Sequence, residues 1–344
     1  MSVRDSNDLN QIQDRTSTVN KIENQYGLIS QLGIFGGEGI STRSFQYDQV
    51  EDGFALVQDR PWGARRDQYV DKEVVETHSF AIPHFPLDGH VKPEDLQSKR
   101  APGSDNDVKT EDQEVGKELA RIRTSWAVTR EWAHREAIVN GTVYSPNGTV
   151  NVDYYSDLGV TREEVDFTLG TATADIQGTG EQIVGHIQDN LQDGTLVTDI
   201  IALCSPEYFS KYVGHPKTQA AYSQFSATNG NGDPLRDRLN TLNGKFRTFR
   251  GVDGIMYIEY RGQIKGTQII PANDAYFLPL DAMDMFKTIY APANHMDYVN
   301  TEGQEMYAWS ERLSNGRGVD IQTESNFADF ILKPQVVVRG YSSD

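Results

Sequence analysis

One cysteine occurs in 344 residues, Cys204, and a histidine follows eleven positions later, His215. A thiol beside a helix N-terminus has a depressed pKa and, with an imidazole to take its proton, becomes a nucleophile. The surrounding text, "IIALCSPEYFSKYVGHPKTQAAY", places Cys204 at such a point. Ser205 is an N-cap type, Pro206 suits the first helical position and Glu207 favours the helix dipole. His215 lies about three turns further on, beyond that helix, and does not reach Cys204 along the same element. The apolar run "TLVTDIIALC" reads as a buried strand, so an inert thiol at a strand end is the favoured reading. His78, His84 and His90 raise metal binding, but in an extended chain successive members stand about 20 Å apart, too far to share one ion. Only Pro83, Pro86 and the "LDG" turn could fold them closer. Gly33, Gly36, Gly37 and Gly39 look superficially like a phosphate-cradling loop. Such a loop follows a buried strand and opens a helix, whereas here a polar arm precedes and the β-prone "STRSFQYDQV" follows, so a flexible connection is expected. No catalytic, cofactor-binding or metal residue is assigned.

The elements that would position these groups belong to a chain long enough for one elaborate domain or two ordinary ones, with 37% apolar residues to build a core. A formal charge of -18 argues against a sequence-reading DNA binder, which concentrates Lys and Arg to replace phosphate counterions. One cysteine excludes an internal disulfide framework. The start "MSVRDSNDLNQIQDRTS" has no signal-peptide core and no segment reaches the ~18 apolar residues of a membrane span, so a soluble protein without a membrane partner is expected.

Residues 1–26 are polar and read as an extended arm. Two strand-prone runs then flank a charged middle, "RPWGARRDQ". In the second run Val74, Glu76, His78, Phe80 and Ile82 share one face and Val75, Thr77, Ser79 and Ala81 the other, so neither face is strongly apolar. A hairpin of that kind is not stable alone and predicts an arm that finds its burial on another surface, a second subunit included. From Glu111 to Asn140 the spacing predicts a long helix. Val115, Leu119, Ile122, Trp126, Ala133 and Ala137 form one stripe, and Val128, Trp132 and Val139 a second. Glu131 and Arg135 stand at i,i+4, Gly141 is a C-terminal cap, and the mixed charges read as solvent-facing. Asn147-Gly148 and Asn315-Gly316 each predict a tight hairpin turn, and "EQIVGHIQDNLQDG" a helix.

In this order the landmarks resemble the major capsid protein E family, the lambda-type group of tailed-phage shell proteins with the Hong Kong 97-type fold. The matching text is "GIFGGEGIST", "SFAIPHFPLDGHVKPEDLQSKRAPG", "TREWAHREAIVNGTVYSPNGTVNVDYYSDLGV", "IIALCSPEYFSKYVGHPKTQAAY", "FRGVDGIMYIEYRGQ", "IYAPANHMDYVNTEGQEMYAW" and "ESNFADFILKPQVVV", spanning about Gly33 to Val338. One departure is "SNFADF", where family members tend to carry a proline and leucine; it leaves the local turn open.

The resemblance implies an α+β subunit. Its parts would be an N-terminal arm (1–52), an extended β-hairpin called the E-loop (53–95), a peripheral domain (96–180) on a spine helix at 111–140, an axial domain (181–298), and a return to the peripheral domain (299–344). It implies a major capsid protein that assembles in the host cytoplasm into the pentamers and hexamers of an icosahedral virion head. It implies as partners other copies of the chain, a portal protein, a scaffolding protein, in some heads a decoration protein, and packaged double-stranded DNA bound without sequence preference. The scaffold is expected to be separate, because the N-terminus has no long charged helical extension. Arg60, Trp62, Arg65 and Arg66, at the charged turn, are the residues expected to dock on the adjacent subunit, Trp and Arg being enriched at binding hot spots. No enzymatic activity and no cofactor are expected. An encapsulin-like nanocompartment shell, and more remotely a soluble hydrolase, are the alternatives.

Overall fold

The computed structural model describes residues 13–16, 27–51, 74–97, 111–191, 197–221, 240–242, 246–282 and 285–344. In chain order come β1 (Gln13–Asp14), α1 (Leu28–Leu32), β2 (Gly36–Gly39), β3 (Ser44–Glu51), β4 (Val74–Ala81) and β5 (Phe85–Val91). Then follow the long helix α2 (Glu111–Arg135), β6 (Glu164–Asp166), α3 (Ile176–Asn190), β7 (Asp199–Cys204), α4 (Pro206–Gly214), β8 (Asn240–Leu242), β9 (Phe246–Arg250) and β10 (Met256–Glu259). The last third holds a small hairpin, β11 (Gln263–Ile264) and β12 (Thr267–Gln268), then β13 (Asp274–Leu280), β14 (Phe286–Tyr290), β15 (Tyr307–Arg312), β16 (Val319–Ser325), β17 (Phe327–Ile331) and β18 (Val338–Tyr341). Helices and strands mix along the chain, as expected for an α+β fold.

The apolar run before Cys204 becomes β7, the middle strand of a seven-stranded sheet ordered β6-β18-β13-β7-β10-β9-β8. It runs parallel to β10 and antiparallel to β13, with Cys204 opposite Ala275. Its residues Ile201–Cys204 are buried in the core packed on the sheet, which is why it reads as a continuous apolar run. Ser205 then caps α4 by accepting from the Tyr208 amide, and Pro206 opens the helix. Tyr208, Phe209 and Tyr212 of α4 and Ile183 and Ile187 of α3 enter the same core as β7, β10 and β13.

Acidic Glu111, Asp112 and Glu114 open α2 and basic His134 and Arg135 close it, both matching the helix dipole. The helix continues through a π-helical turn, Glu136–Asn140, to Gly141 at φ 71°, the left-handed cap that the sequence predicts. Val115, Leu119, Ile122 and Trp126 pack with Met306 and with Val91, Ala308, Val319 and Ile321 of a four-stranded sheet ordered β1-β15-β16-β5. A third sheet has the order β17-β14-β2. Asn326 alone separates β16 from β17, so the chain passes from one sheet to the next through a single residue. Its side-chain amide donates to Pro292 O at 3.0 Å and its carbonyl accepts from the Ala291 amide at 2.9 Å. The "SNFADF" departure is thus a strand switch.

Several expectations are corrected. The glycines after α1 do not make a flexible connection: Gly36–Gly39 is a strand parallel to β14. Glycine is required where the chain passes Gly303, because a Cβ on Gly39 would lie 2.4 Å from its carbonyl oxygen. Around Gly148 there is no hairpin ladder, only one bridge between Thr142 and Asp153. Gly148 has φ 66° but Asn147 is not left-handed, whereas a type I′ turn needs both. The charges of α2 do not all face solvent. Arg123, Arg130, Glu131 and His134 are buried, and Glu131 turns to α1 rather than to Arg135, whose Nη1 pairs with Glu136 at 2.7 Å.

Candidate assembly surface

Among the described residues, β3 and β4 pair only with each other, in register from Ser44 opposite Ala81 to Glu51 opposite Val74. Eight pairs give a ribbon about 25 Å long, and a two-stranded ribbon is marginal in water by itself. Its root is fixed to the body. Phe45 and Phe80 meet the buried Phe330 of β17 at 5.1 and 5.3 Å between ring centres. Along β4, Thr77, Ser79 and Ala81 are exposed, and His78 stacks on Phe80, its Nε2 lacking a hydrogen-bond partner among the described residues. The strand β4 ends at Ala81, two residues before a buried Pro83, beyond which β5 pairs with β16 in the body. The paired strands thus begin at Ser44 opposite Ala81, and Phe85–Val91 pairs with β16 in the four-stranded sheet. Arg60, Trp62, Arg65 and Arg66 lie outside the described residues.

The corner between ribbon and body is held by polar contacts. His84 Nδ1 is 2.9 Å from Asn326 Oδ1 and 3.2 Å from Glu324 Oε1, so it carries the proton and donates. Glu324 Oε1 also accepts from the Asn294 amide at 2.8 Å, and Arg43 donates to Asn294 Oδ1 at 2.8 Å. Strand switch, corner and ribbon root thus share one cluster.

Below it, α2 is tied to the rest of the molecule by buried charges. Glu131 accepts from the Ile29 amide at 2.9 Å, the Ser30 amide at 3.1 Å and the Tyr260 hydroxyl at 2.6 Å, so its carboxylate caps α1 from outside. Gly27, at φ 95°, leaves room for it; a Cβ there would lie 2.1 Å from Glu131 Oε2. Arg123 and Arg130 both pair with Glu305, and Arg130 also lies over the rings of Tyr290 and Phe327. Burial pushes the Glu305 carboxyl up, but Arg130 and then Arg123 outweigh it and hold it below its ordinary value. His134 Nδ1 lies 2.9 Å from Asp329, which also accepts from the Thr288 hydroxyl at 2.6 Å.

None of the groups weighed for chemistry forms a reaction centre with another. Cys204 is 0% exposed, its thiol donates to Ala202 O at 3.4 Å, and burial pushes its pKa well up, which removes the thiolate. His215 Nε2 faces Thr171 O at 3.0 Å. His90 pairs with Asp320, while His84 and His78 are held as described. Among the described residues no three His, Cys, Asp or Glu side chains are grouped to hold a metal, and no helix is long and apolar enough to cross a membrane. Sequence reasoning missed Phe45, Phe330, Glu305 and Asp329, whose partners lie far away in the chain; Arg130 and Glu305, for example, are 175 positions apart.

The family described as phage major capsid protein E matches residues 13–340. The major capsid protein of Pseudomonas phage KPP10 is 36% identical over 340 residues, covering 95% of each chain. That of Salmonella phage Felix O1 (isolate Felix O1-VT1) is 28% identical over 349 residues, covering 94% of each. Among solved structures, the capsid of Cyanophage P-SCSP1u superposes with a TM-score of 0.53 at 12% identity, over 94% of this chain and 90% of that one. The mature capsid of bacteriophage PhiM1 gives 0.53 at 12% identity, over 90% and 85%. At these identities the two structures speak for the fold.

Proposed function

The chain belongs to the phage major capsid protein E family, and from that premise we propose that it is the subunit that closes into the pentamers and hexamers of a tailed-phage head around packaged double-stranded DNA. One observation carries the mechanism: a ribbon of eight residue pairs with no third strand beside it among the described residues, anchored to the body at Phe45 and Phe80. Such a ribbon reaches its stable state when a neighbouring copy covers it, which couples its ordering to assembly. The work of the protein is association, not bond chemistry.

In this reading residues 1–52 are the arm, 53–95 the E-loop with its root at Ser44, 96–180 and 299–344 the peripheral domain on the spine helix, and 181–298 the axial domain. Arg60, Trp62, Arg65 and Arg66 at the E-loop tip dock on the next subunit. Portal, scaffolding and decoration proteins would be further partners. The net charge of -18 fits a wall that repels the genome and lets it slide, where a basic wall would hold it by counterion release. The test is the double variant Arg65→Glu, Arg66→Glu. Its subunits should keep a native circular dichroism spectrum and fail to form shells by negative-stain microscopy; normal shells would remove the docking role. Particles purified from infected cells should contain DNA and a portal, and an enzyme cargo instead would indicate a nanocompartment.

A further inference from the structure

Among the described residues three large apolar side chains are exposed, and two of them stand three positions apart: Met296 at 89% and Val299 at 56%. Met296 opens the short 3₁₀ turn Met296–Tyr298 and Val299 follows it, three positions on, a spacing that brings the two residues to the same side of such a turn. The turn is firmly backed. His295 stacks on Trp309 of β15 at 4.7 Å, and Tyr298 meets the buried Tyr307 at 4.8 Å, ring centre to ring centre. A rigidly presented apolar pair in open water marks an interaction surface. Its rim is acidic: the Asp297 side chain is 81% exposed and Glu302 is exposed as well. A second identical loop would meet it with like charge, which disfavours contact of the patch with itself. The complementary segment lies in the same sequence. Arg60 to Arg66, bounded by Asp59 and Asp67, holds three arginines and one tryptophan, so the stretch keeps a net positive charge. A methionine thioether packs favourably on an aromatic ring, and carboxylates pair with guanidinium groups in planar geometry.

We propose that Met296 and Val299 receive Trp62 of a second copy, with Arg65 and Arg66 of that copy set against Asp297 and Glu302. This rests on the tip-docking reading above and names its receptor. The test places a photo-activated cross-linking residue at 296 and, in a separate preparation, at 299, in particles assembled from equal parts of light and heavy-isotope subunits. Mass spectrometry should find cross-links between copies that fall in residues 60–66. Cross-links elsewhere, between two copies of the 296–299 loop, or none at all would overturn the assignment. A third preparation carries the cross-linker at Trp62. Contacts on another copy away from residues 293–303 would overturn the receptor and leave tip docking standing, whereas contacts only within its own chain would overturn tip docking itself. The double variant Met296→Asp, Val299→Asp changes exposed side chains only, so the subunit should fold and particle yield should fall at least tenfold; an unchanged yield would also overturn the proposal.

Discussion

Glu305 serves two guanidinium groups at once, and each of those sits on a buried face of α2. Three of their nitrogens, Arg123 Nε and Nη1 and Arg130 Nε, have no hydrogen-bond partner among the described residues, so the carboxylate is the main compensation for their charge. Removing one member of a buried ion pair typically costs about 3–5 kcal/mol, and Glu305→Gln should lower the urea unfolding free energy by that order. The pH dependence has a definite sign. Because Glu305 is held below its ordinary value of 4.5, its stabilisation is complete above that value and is lost as pH falls through the lower folded-state value. Urea midpoints measured down the acid limb should therefore drop in the native chain and drop less steeply in Glu305→Gln. At Cys204 the same reasoning predicts silence. A thiol with no exposure and a raised pKa should not react with iodoacetamide in the folded protein and should react once guanidinium has unfolded it.

At the scale of elements, the ribbon hangs on three aromatic rings, two of its own and Phe330 from β17. Phe330→Ala should cost about 3–5 kcal/mol, as for other buried phenylalanines, and amide exchange in the root of β3 and β4 should quicken. The strand β2 is constrained differently, by lack of room. A side chain at Gly39 would be driven into the Gly303 carbonyl, so Gly39→Val should lower stability by about 1–3 kcal/mol in thermal unfolding, as overpacking does. Both effects reach the corner at His84, because β2, β14 and β17 form one sheet and Asn326 immediately precedes β17.

For the whole molecule, the proposed function links folding to assembly. A ribbon left without a third strand in one copy exchanges its amides readily, and burial against a neighbour suppresses that exchange. Hydrogen exchange should therefore show Ser44–Glu51 and Val74–Ala81 weakly protected in dissociated subunits and strongly protected in particles, while β7 at the centre of its sheet is protected in both.

What the sequence determined by itself was local: the stripe of α2 and its Gly141 cap, the buried run of β7, the Ser205 and Pro206 start of α4, and the order of landmarks that places the chain in its family. Each is written in residues a few positions apart, where periodicity, capping and dihedral preference act. Tertiary structure alone decided that Glu131 caps α1 instead of pairing with Arg135, that Arg123 and Arg130 are buried on Glu305, and that a run of glycines is a strand. A charge or a glycine has no local signature of burial; its place is set by partners more than a hundred positions away, which only the packed chain brings within hydrogen-bonding distance.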